Sequence, residues 1–317
     1  MSYVYSMRFK LGIFLNLHQL KIITSTIFAL IAFAANSVLC RMALGENAID
    51  ASSFTALRLL SGIVILFVLV SLTSHFNSKS EAKTATVTKG SWLAATMLFI
   101  YAVAFSFGYI SLDTGTGALI LFGAVQITMI LSNVILGNKL HLSEWLGLTL
   151  AFTGFVYLII PSLTTPSLMG FILMSVSGVA WAVYTLLGRG SKSPLSDTSY
   201  NFLRTTPFVL VLIMFTFSDA HFTTTGIILA VLSGAIASGI GYFIWYIALS
   251  GLSVTQGAVV QLFVPIIAAI GGVIFTGELV TLRLIESSAL VLGGILMVIL
   301  GRYYYVQLAK KKQIKNG

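Results

Sequence analysis

Two arginines lie within long apolar segments of the sequence, where a charge is costly. Arg58 and Arg204 are each about one turn inside a predicted helix. An arginine at mid-membrane depth costs on the order of 3 kcal/mol, so its guanidinium must reach the headgroups, bond to loop carbonyls or attract an anion such as a carboxylate. With Asn36 of the first apolar segment, these two arginines are candidates for a gating or electrostatic role.

A second group of residues combines aromatic rings with amides near the middle of predicted helices. Its members are Tyr101, Phe105, Gln126, Tyr184, Tyr242, Trp245 and Gln261. A lipid-facing amide at this depth would have no hydrogen-bond partner, so Tyr101 and Gln126 are expected to face inward. Rings with a few amides and phenols suit binding of an amphipathic solute, an aromatic or large apolar amino acid first. Ordinary packing or an interfacial aromatic belt is the competing interpretation.

The remaining reactive side chains do not form a catalytic pattern. The four histidines fall in tails or connections, and Cys40 is the single cysteine. The sequence has no zinc-protease, nucleophile-elbow or phosphate-loop motif and no carboxylate pair within an apolar segment, so neither an enzyme nor a cofactor or metal site is predicted. Glu144 and Glu286 lie near segment ends, either as helix starts stabilised by the helix dipole or as a coupling site at a cavity mouth.

The elements that must position these residues are apolar segments of membrane-spanning length. Only 9% of the 317 residues are charged and 57% are hydrophobic, which excludes a water-soluble fold. A span needs about 20 residues, so ten spans leave no room for a sizeable soluble domain. The predicted spans cover residues 22–39, 54–72, 91–112, 117–136, 144–160, 168–187, 198–217, 226–249, 255–275 and 281–301.

The basic residues are distributed unevenly among the connections. Most of the 18 lysines and arginines fall in alternate segments that include both termini, whereas Glu46, Asp50, Asp113, Asp219 and Glu278 fall in the others. The positive-inside rule therefore predicts an inner-membrane protein with both termini cytoplasmic. The net charge of +9 indicates contact between basic cytoplasmic segments and anionic lipid, not nucleic-acid binding.

The sequence repeats itself internally. Residues 93–158 align without a gap with residues 233–298 at a constant offset of 140, which pairs Gly154 with Gly294 and Phe105 with Trp245. With other offsets, residues 36–41 align with 184–189, and Arg58 aligns with Arg204. A repeat of five spans inverts the second copy, and inverted repeats are a recurring architecture of secondary transporters. Duplication that only builds a stable helical scaffold is the alternative.

The order of several short motifs is similar to that of a known family. The motifs are Ala35-Asn36-Ser37, Arg58-Leu59-Leu60, Gly115 to Ala118, Trp181 to Thr185, and Gly277-Glu278-Leu279 followed by Thr281-Leu282. From about Ile27 to Gly301 the chain resembles the drug/metabolite transporter superfamily, specifically ten-helix permeases with two EamA-type domains. The family pattern has Gly-Glu at both corresponding junctions, but the first junction here is Gly137-Asn138. The resemblance implies export of amino acids, other small metabolites or toxic compounds.

These observations predict an all-α polytopic membrane protein of ten transmembrane helices in two inverted five-helix repeats. The predicted divisions are a cytoplasmic tail at 1–21, a first repeat at 22–160, a second at 168–301 and a basic cytoplasmic tail at 302–317. The predicted function is secondary transport of a small organic metabolite by alternating access, with substrate identity, direction, coupling ion and oligomeric state left open. A non-transporting scaffold or signalling subunit is the alternative, and a polyprenyl-linked acyl or glycosyl transferase ranks last.

Overall fold

The computed structural model describes residues 17–77, 88–135, 142–159, 167–252 and 254–316. These residues are helical throughout apart from short connections and one isolated antiparallel bridge between Ile49 and Phe222. The helices are α1 (Leu17–Gly45), α2 (Ala51–Asn77), α3 (Trp92–Gly108), α4 (Thr114–Ile135), α5 (Leu142–Ile159), α6 (Leu168–Gly188), α7 (Pro194–Arg204), α8 (Thr206–Thr216), α9 (Thr224–Leu232), α10 (Gly241–Gly251), α11 (Val254–Gln261), α12 (Phe263–Thr276) and α13 (Leu282–Asn316). A π-helix (Ser233–Ile240) joins α9 to α10. The predicted all-helical fold class is confirmed.

Seven helical units among the described residues are long and apolar enough to cross a membrane. They cover Leu17–Gly45, Ala51–Thr73, Thr114–Ser132, Leu168–Gly188, Pro194–Asp219, Thr224–Gly251 and Gln256–Thr276. Shorter apolar helices cover Trp92–Gly108 and Leu142–Leu158. Large apolar side chains such as Val64, Phe152 and Phe215 are exposed on the outside of the bundle, as expected for a surface in contact with lipid. The protein is therefore a multi-pass membrane protein.

Three segments that the sequence predicts as continuous helices are interrupted. The segment 198–217 breaks at Thr205 between α7 and α8, and the segment 255–275 breaks at Leu262 between α11 and α12. Pro207 and Pro265 lie in the first turn of the helix that follows each break. Proline has no N–H to continue the preceding helix, but it is tolerated where the first N–H groups lack intrahelical partners.

The third interruption is the π-helix within segment 226–249, and it packs closely on α2. A Cβ atom at Gly234 would lie 2.0 Å from the carbonyl oxygen of Arg58, and one at Gly239 would lie 2.8 Å from Ile65. Only glycine permits such an approach of two helix backbones. Segments of π-helix are rare and often occur at functional sites. This packing brings the Ser238 hydroxyl to the guanidinium of Arg58.

The connections between helices gather at two opposite ends of the bundle. We call one of them the acidic end. There Asp50, between α1 and α2, accepts a hydrogen bond from the backbone N–H of His221, between α8 and α9, and Glu278 contacts the start of α4. At the other, the basic end, Gly90 contacts α7 and Arg189 contacts the end of α10. The site described next lies between these two ends.

Candidate functional site

The side chain of Arg58 lies in the interior of the bundle and is 1% exposed. Its Nε donates to Ser238 Oγ at 3.0 Å, and its Nη2 donates to the hydroxyls of Tyr101 at 3.0 Å and Tyr242 at 2.7 Å. The guanidinium also lies against the Phe105 ring, 4.7 Å from its centroid. Of the alternatives open from the sequence, snorkelling to the headgroups therefore does not apply to Arg58.

The hydroxyls around Arg58 form a network that joins helices from both halves of the chain. Tyr242 donates to Tyr101 Oη at 2.9 Å, and Asn36 Nδ2 donates to the same oxygen at 3.2 Å. Ser233 of the π-helix donates to Asn36 Oδ1 at 2.6 Å. Four helical elements, α1, α2, α3 and the π-helix–α10 unit, thus converge on one phenol. We call Asn36, Arg58, Tyr101, Ser233, Ser238 and Tyr242 the arginine network.

The arginine network lacks a neutralising charge. The hydrogen-bond partners of Arg58 are neutral hydroxyls, and its Nη1 is buried with no hydrogen-bond partner among the described residues. Hydroxyl oxygens and ring faces stabilise a guanidinium only in part, because each supplies a fraction of a charge. A buried cation with a free N–H group is chemically suited to bind a carboxylate, which accepts two parallel hydrogen bonds from a guanidinium.

A group of buried aromatic rings surrounds the arginine network. The Trp181 ring lies 5.0 Å from Tyr101, 4.6 Å from Tyr242 and 5.2 Å from Phe33, measured between centroids. Phe33 also makes an edge contact with Trp245 at 5.5 Å. Such edge and tilted contacts are the favoured geometries of aromatic pairs. We call the buried rings of Phe33, Tyr101, Phe105, Trp181, Tyr184, Tyr242 and Trp245 the aromatic cluster.

Both predicted glutamines are fully buried at the edge of the aromatic cluster. Gln126 Nε2 donates to the Ala258 carbonyl at 2.7 Å, which ties α4 to α11, and its Oε1 has no partner among the described residues. Gln261 Oε1 accepts from Trp181 Nε1 at 3.2 Å. The indole N–H of Trp245 and the hydroxyl of Tyr184 also lack partners. The structure therefore places the predicted aromatic and amide residues together in the interior.

Arg204 occupies a different environment from Arg58, although the repeat aligns them. It lies at the last turn of α7, where its Nη1 donates to the Lys89 carbonyl, and its guanidinium is 5.7 Å from the Trp92 ring. A bond to a loop carbonyl is one of the structural roles left open from the sequence. Arg204 therefore lies at the basic end, whereas Arg58 lies in the interior of the bundle.

The acidic end is held by a cluster of charged groups around Glu278. Its carboxylate accepts from the Thr114 N–H at 2.9 Å and from the Thr114 hydroxyl at 2.9 Å, at the N-terminus of α4, where the helix dipole favours an anion. Arg41 donates from Nε to Glu278 at 3.3 Å and lies 3.5 Å from Asp113. We call Arg41, Asp113, Thr114 and Glu278 the acidic-end latch.

A further contact closes the acidic end beside this latch. Asp50 accepts hydrogen bonds from the backbone N–H groups of Ser53 at 2.8 Å and His221 at 3.0 Å. Partial burial would raise the pKa of Asp50, but these hydrogen bonds from Ser53 and His221 outweigh it and hold the pKa below its ordinary value. Asp50 therefore stays ionised and keeps the two connections together.

The basic end is held by polar contacts to the segment before α3. Asp197 accepts from the Gly90 N–H at 2.7 Å, and Asn201 accepts from the Ser91 N–H at 2.9 Å. Gly90 has φ = +61°, and a Cβ atom there would lie 2.2 Å from Asn201 Oδ1, so both conformation and space require glycine. Hydrogen bonds thus join neighbouring segments at both ends of the bundle.

Three cavities among the described residues lie away from the arginine network. One of about 450 Å³ is lined by Gly115, Pro265 and Leu284, one of about 470 Å³ by Ile22, Leu30 and Phe263, and one of about 650 Å³ opens at the basic end. None of them is lined by a predicted substrate residue. The predicted substrate residues are instead packed against one another in the aromatic cluster and at its edge.

Several residues of the site were not among the candidates from the sequence. Phe33, Trp181, Ser233 and Ser238 all contact the predicted residues. The small-residue run from Ser233 to Gly241 signals close helix packing, and Trp181 lies in a motif of the family resemblance. No sequence rule places Phe33, because a phenylalanine in an apolar helix is ordinarily a packing or lipid-facing residue.

Comparison with known proteins identifies the family. The model of the EamA-like transporter family matches residues 168–300. An uncharacterized protein of Pseudomonas aeruginosa is 46% identical over 277 residues, which are 87% of this chain and 94% of that protein. An uncharacterized transporter of Archaeoglobus fulgidus is 30% identical over 208 residues, 63% of this chain and 73% of that protein. The chain belongs to the EamA-like transporter family.

The fold of this EamA-like transporter is also found in a solved structure. A crystal structure is similar over 87% of this chain and 97% of its own, with a TM-score of 0.57 and 16% sequence identity. At that identity the likeness concerns the fold alone. Membership of the family implies a lipid bilayer as surroundings and a small molecule as substrate. A role in transport agrees with the buried polar site between two closed ends.

Proposed function

We propose that this EamA-like transporter moves a small organic metabolite across the inner membrane by alternating access, as an exporter or other secondary transporter. The preferred substrate is an amino acid with an aromatic or large apolar side chain, and it binds between the arginine network and the aromatic cluster. Both termini are cytoplasmic, so the acidic end faces outward. The observation that carries this proposal is that the Arg58 guanidinium is buried without a carboxylate partner among the described residues.

The chemistry of Arg58 supports a carboxylate as the first element of the substrate. A buried guanidinium costs several kcal/mol in desolvation, and an uncompensated one persists only where it serves a purpose. A substrate carboxylate would accept from Nη1, which has no partner, and would displace the Tyr101 or Tyr242 hydroxyl from Nη2. When no substrate is bound, the Tyr101 and Tyr242 hydroxyls partly stabilise the positive charge of Arg58.

The aromatic cluster supports an apolar side chain as the second element. Rings contribute binding through area and edge contacts, and the Trp245 N–H, the Tyr184 hydroxyl and Gln126 Oε1 remain free to orient polar atoms of a solute. Opening of either end would separate rings that now touch, such as Trp181 and Tyr242 at 4.6 Å. The space for a substrate would thus arise as the bundle opens.

The two closed ends support alternating access, in which one end opens while the other remains shut. The acidic-end latch joins α1, α4 and the residues after α12, whereas the contacts of Asp197 and Asn201 join α7 to the segment before α3. Each set consists of a few hydrogen bonds between different helices, which can break without unfolding a helix. The described state is therefore the occluded one of the cycle.

The placement of residues that the repeat register equates supports ten spans in two inverted halves, 22–160 and 168–301. Arg41 donates to the Tyr109 carbonyl after α3, and its counterpart Arg189 donates to the Leu252 carbonyl after α10. Gly154 and Gly294 both lie where α5 crosses α13. A Cβ atom added to Gly154 would lie 2.8 Å from Leu290 Cβ, and one added to Gly294 would lie 2.5 Å from the Gly147 carbonyl oxygen. The equivalent arginines thus bond to carbonyls at opposite ends of the bundle, and the equivalent glycines share one helix crossing.

Counterflow in proteoliposomes tests the function directly. Vesicles with the purified full chain are loaded with unlabelled solute and given the labelled form outside, in matched pairs of aromatic amino acids and their carboxamides. We expect accumulation of the amino acid and at least tenfold less of the carboxamide, because the amide lacks the charge that Arg58 attracts. Protein-free vesicles give the background. No counterflow with any solute would favour a scaffold or signalling role, and equal counterflow of acid and amide would remove the role of Arg58.

A further inference from the structure

A groove of about 650 Å³ opens at the basic end, between the start of α1, the end of α2, the start of α7 and the end of α10. It is polar at its mouth and apolar deeper inside. Ser250 lies at the last turn of α10, whereas Phe243 lies about 10 Å deeper along the same helix at 1.5 Å per residue. On α2, Thr73 is likewise nearer the mouth than Val70. The groove is thus amphipathic along the membrane normal.

The mouth of the groove is positively charged. Lys21 and Lys192 line it, both are exposed, and neither is in a salt bridge among the described residues. The N-terminus of α7, which has 11 residues, also opens on it. Ser193 makes no capping hydrogen bond there, so the Leu195 and Ser196 N–H groups have no acceptor within the helix. The helix dipole adds positive potential at the same place.

The nearby acid Asp197 does not cancel this potential. Asp197 is not among the lining residues, and its carboxylate accepts from the Gly90 N–H at 2.7 Å and from the Ser191 hydroxyl. The first bond holds the carboxylate to the segment before α3, and the second holds it to the connection between α6 and α7. An anion in the groove would therefore meet two lysines and the N-terminus of α7, whose first N–H groups have no acceptor within the helix.

We infer that this groove binds an anionic phospholipid of the leaflet at the basic end. Its phosphate lies between Lys21, Lys192 and the N-terminus of α7, and an acyl chain follows the apolar wall past Ile247 to Phe243. Helix N-termini and lysines together are suited to phosphate, and the apolar wall distinguishes a lipid from a soluble anion. The inference does not depend on the substrate proposed above, because the groove does not include the arginine network.

Native mass spectrometry of the full chain released from nanodiscs tests the inference. The discs contain equal amounts of phosphatidylglycerol and phosphatidylethanolamine, and the retained lipid is counted for wild type, Lys21→Gln, Lys192→Gln and Lys192→Arg. We expect retained phosphatidylglycerol to fall about fivefold for each glutamine variant and to be kept by the arginine variant. Lys89→Gln, the matched control at the same end but outside the lining residues, should change retention less than twofold.

Three outcomes would overturn the inference. These are equal retention of both lipids by wild type, a loss in Lys89→Gln as large as in the groove variants, or displacement of the lipid by millimolar inorganic phosphate, which would indicate a site for a soluble anion. A melting curve in lipid-free detergent checks that each variant is folded. If Lys21→Gln fails to fold, Lys192→Gln and its arginine counterpart decide the question.

Discussion

Arg58 Nη2 donates to the hydroxyl of Tyr242 at 2.7 Å, across 184 residues of sequence. The bond joins α2 in the first half of the chain to α10 in the second. Because Tyr242 in turn donates to Tyr101, any separation of the halves must break this chain of hydrogen bonds or pass it to another acceptor. Arg58 is therefore the first residue to substitute in a test of this site.

Arg58→Gln should weaken the apparent affinity for a carboxylate substrate by about ten- to a hundredfold, because it removes charge-assisted hydrogen bonds worth about 1.5–3 kcal/mol. Counterflow at several substrate concentrations measures this, corrected for the amount of protein in the membrane. Arg204→Gln is the matched control and should change affinity less than threefold, because its guanidinium contacts Lys89 and Trp92 at the basic end. Equal losses in both variants would instead support a purely structural role for the arginines.

Tyr101→Phe should weaken substrate binding while it keeps the ring contacts of the aromatic cluster. The hydroxyl accepts from Arg58, Asn36 and Tyr242, so its loss leaves three donors to rearrange. Tyr200→Phe, at the basic end, is the control for loss of a tyrosine hydroxyl. Apparent affinity and membrane abundance are measured together, and an unchanged affinity in Tyr101→Phe would exclude this phenol from the site.

Gln126→Ala and Trp245→Ala should alter substrate preference more than membrane abundance. Gln126 Oε1 and the Trp245 indole N–H are buried without partners, so they are available to a bound solute. Competition by a panel of aromatic and aliphatic amino acids measures the preference. If the order of competitors stays the same in both variants, other residues line the path and this assignment fails.

Gly234→Ala should destabilise the protein by about 1–3 kcal/mol, because its added Cβ would lie 2.0 Å from the Arg58 carbonyl oxygen. Gly293→Ala is the matched control, since a Cβ at Gly293 would meet no atom within 4 Å. Alanine favours a helix over glycine, so this control should keep or raise the melting temperature. Melting in detergent by tryptophan fluorescence compares them, and similar curves would contradict the close approach of the π-helix to α2.

Glu278→Gln should open the acidic end more often, because it removes the anion that holds Arg41 and Thr114. Cys40, the single cysteine, is fully buried next to Arg41 and reports on this opening. We expect a membrane-impermeant maleimide to label Cys40 at least threefold faster in Glu278→Gln than in wild type. Asp219→Asn is the control, being an exposed acid at the same end. Unchanged labelling would show that the latch does not limit access.

Much of this architecture follows from the sequence because the bilayer limits the choices. Apolar length predicts where helices lie, and the inward orientation of Tyr101 and Gln126 follows from the cost of polar groups in lipid. The breaks at Thr205 and Leu262 could have been read from Pro207 and Pro265. The π-helix could not, because its residues are equally compatible with an ordinary helix.

The difference between Arg58 and Arg204 also lies beyond the sequence. The repeat register equates the two residues, but their burial depends on what packs against each helix. Because Gly234 has no side chain, the π-helix packs closely against α2, and this packing encloses Arg58. Arg204, in contrast, is the last residue of α7. The distances between the aromatic rings are likewise a property of the packing, and the rings are in contact.

The π-helix also changes the rotational phase of α10. A register of 140 pairs Tyr101 with Gly241, yet the hydroxyl that meets Tyr101 belongs to Tyr242, one residue later. A wider helical turn rotates the chain less per residue, so a later residue arrives at the same angular position. The two halves thus differ by one residue in register at their point of contact, so a solute bound there as proposed would meet two sides that are not interchangeable.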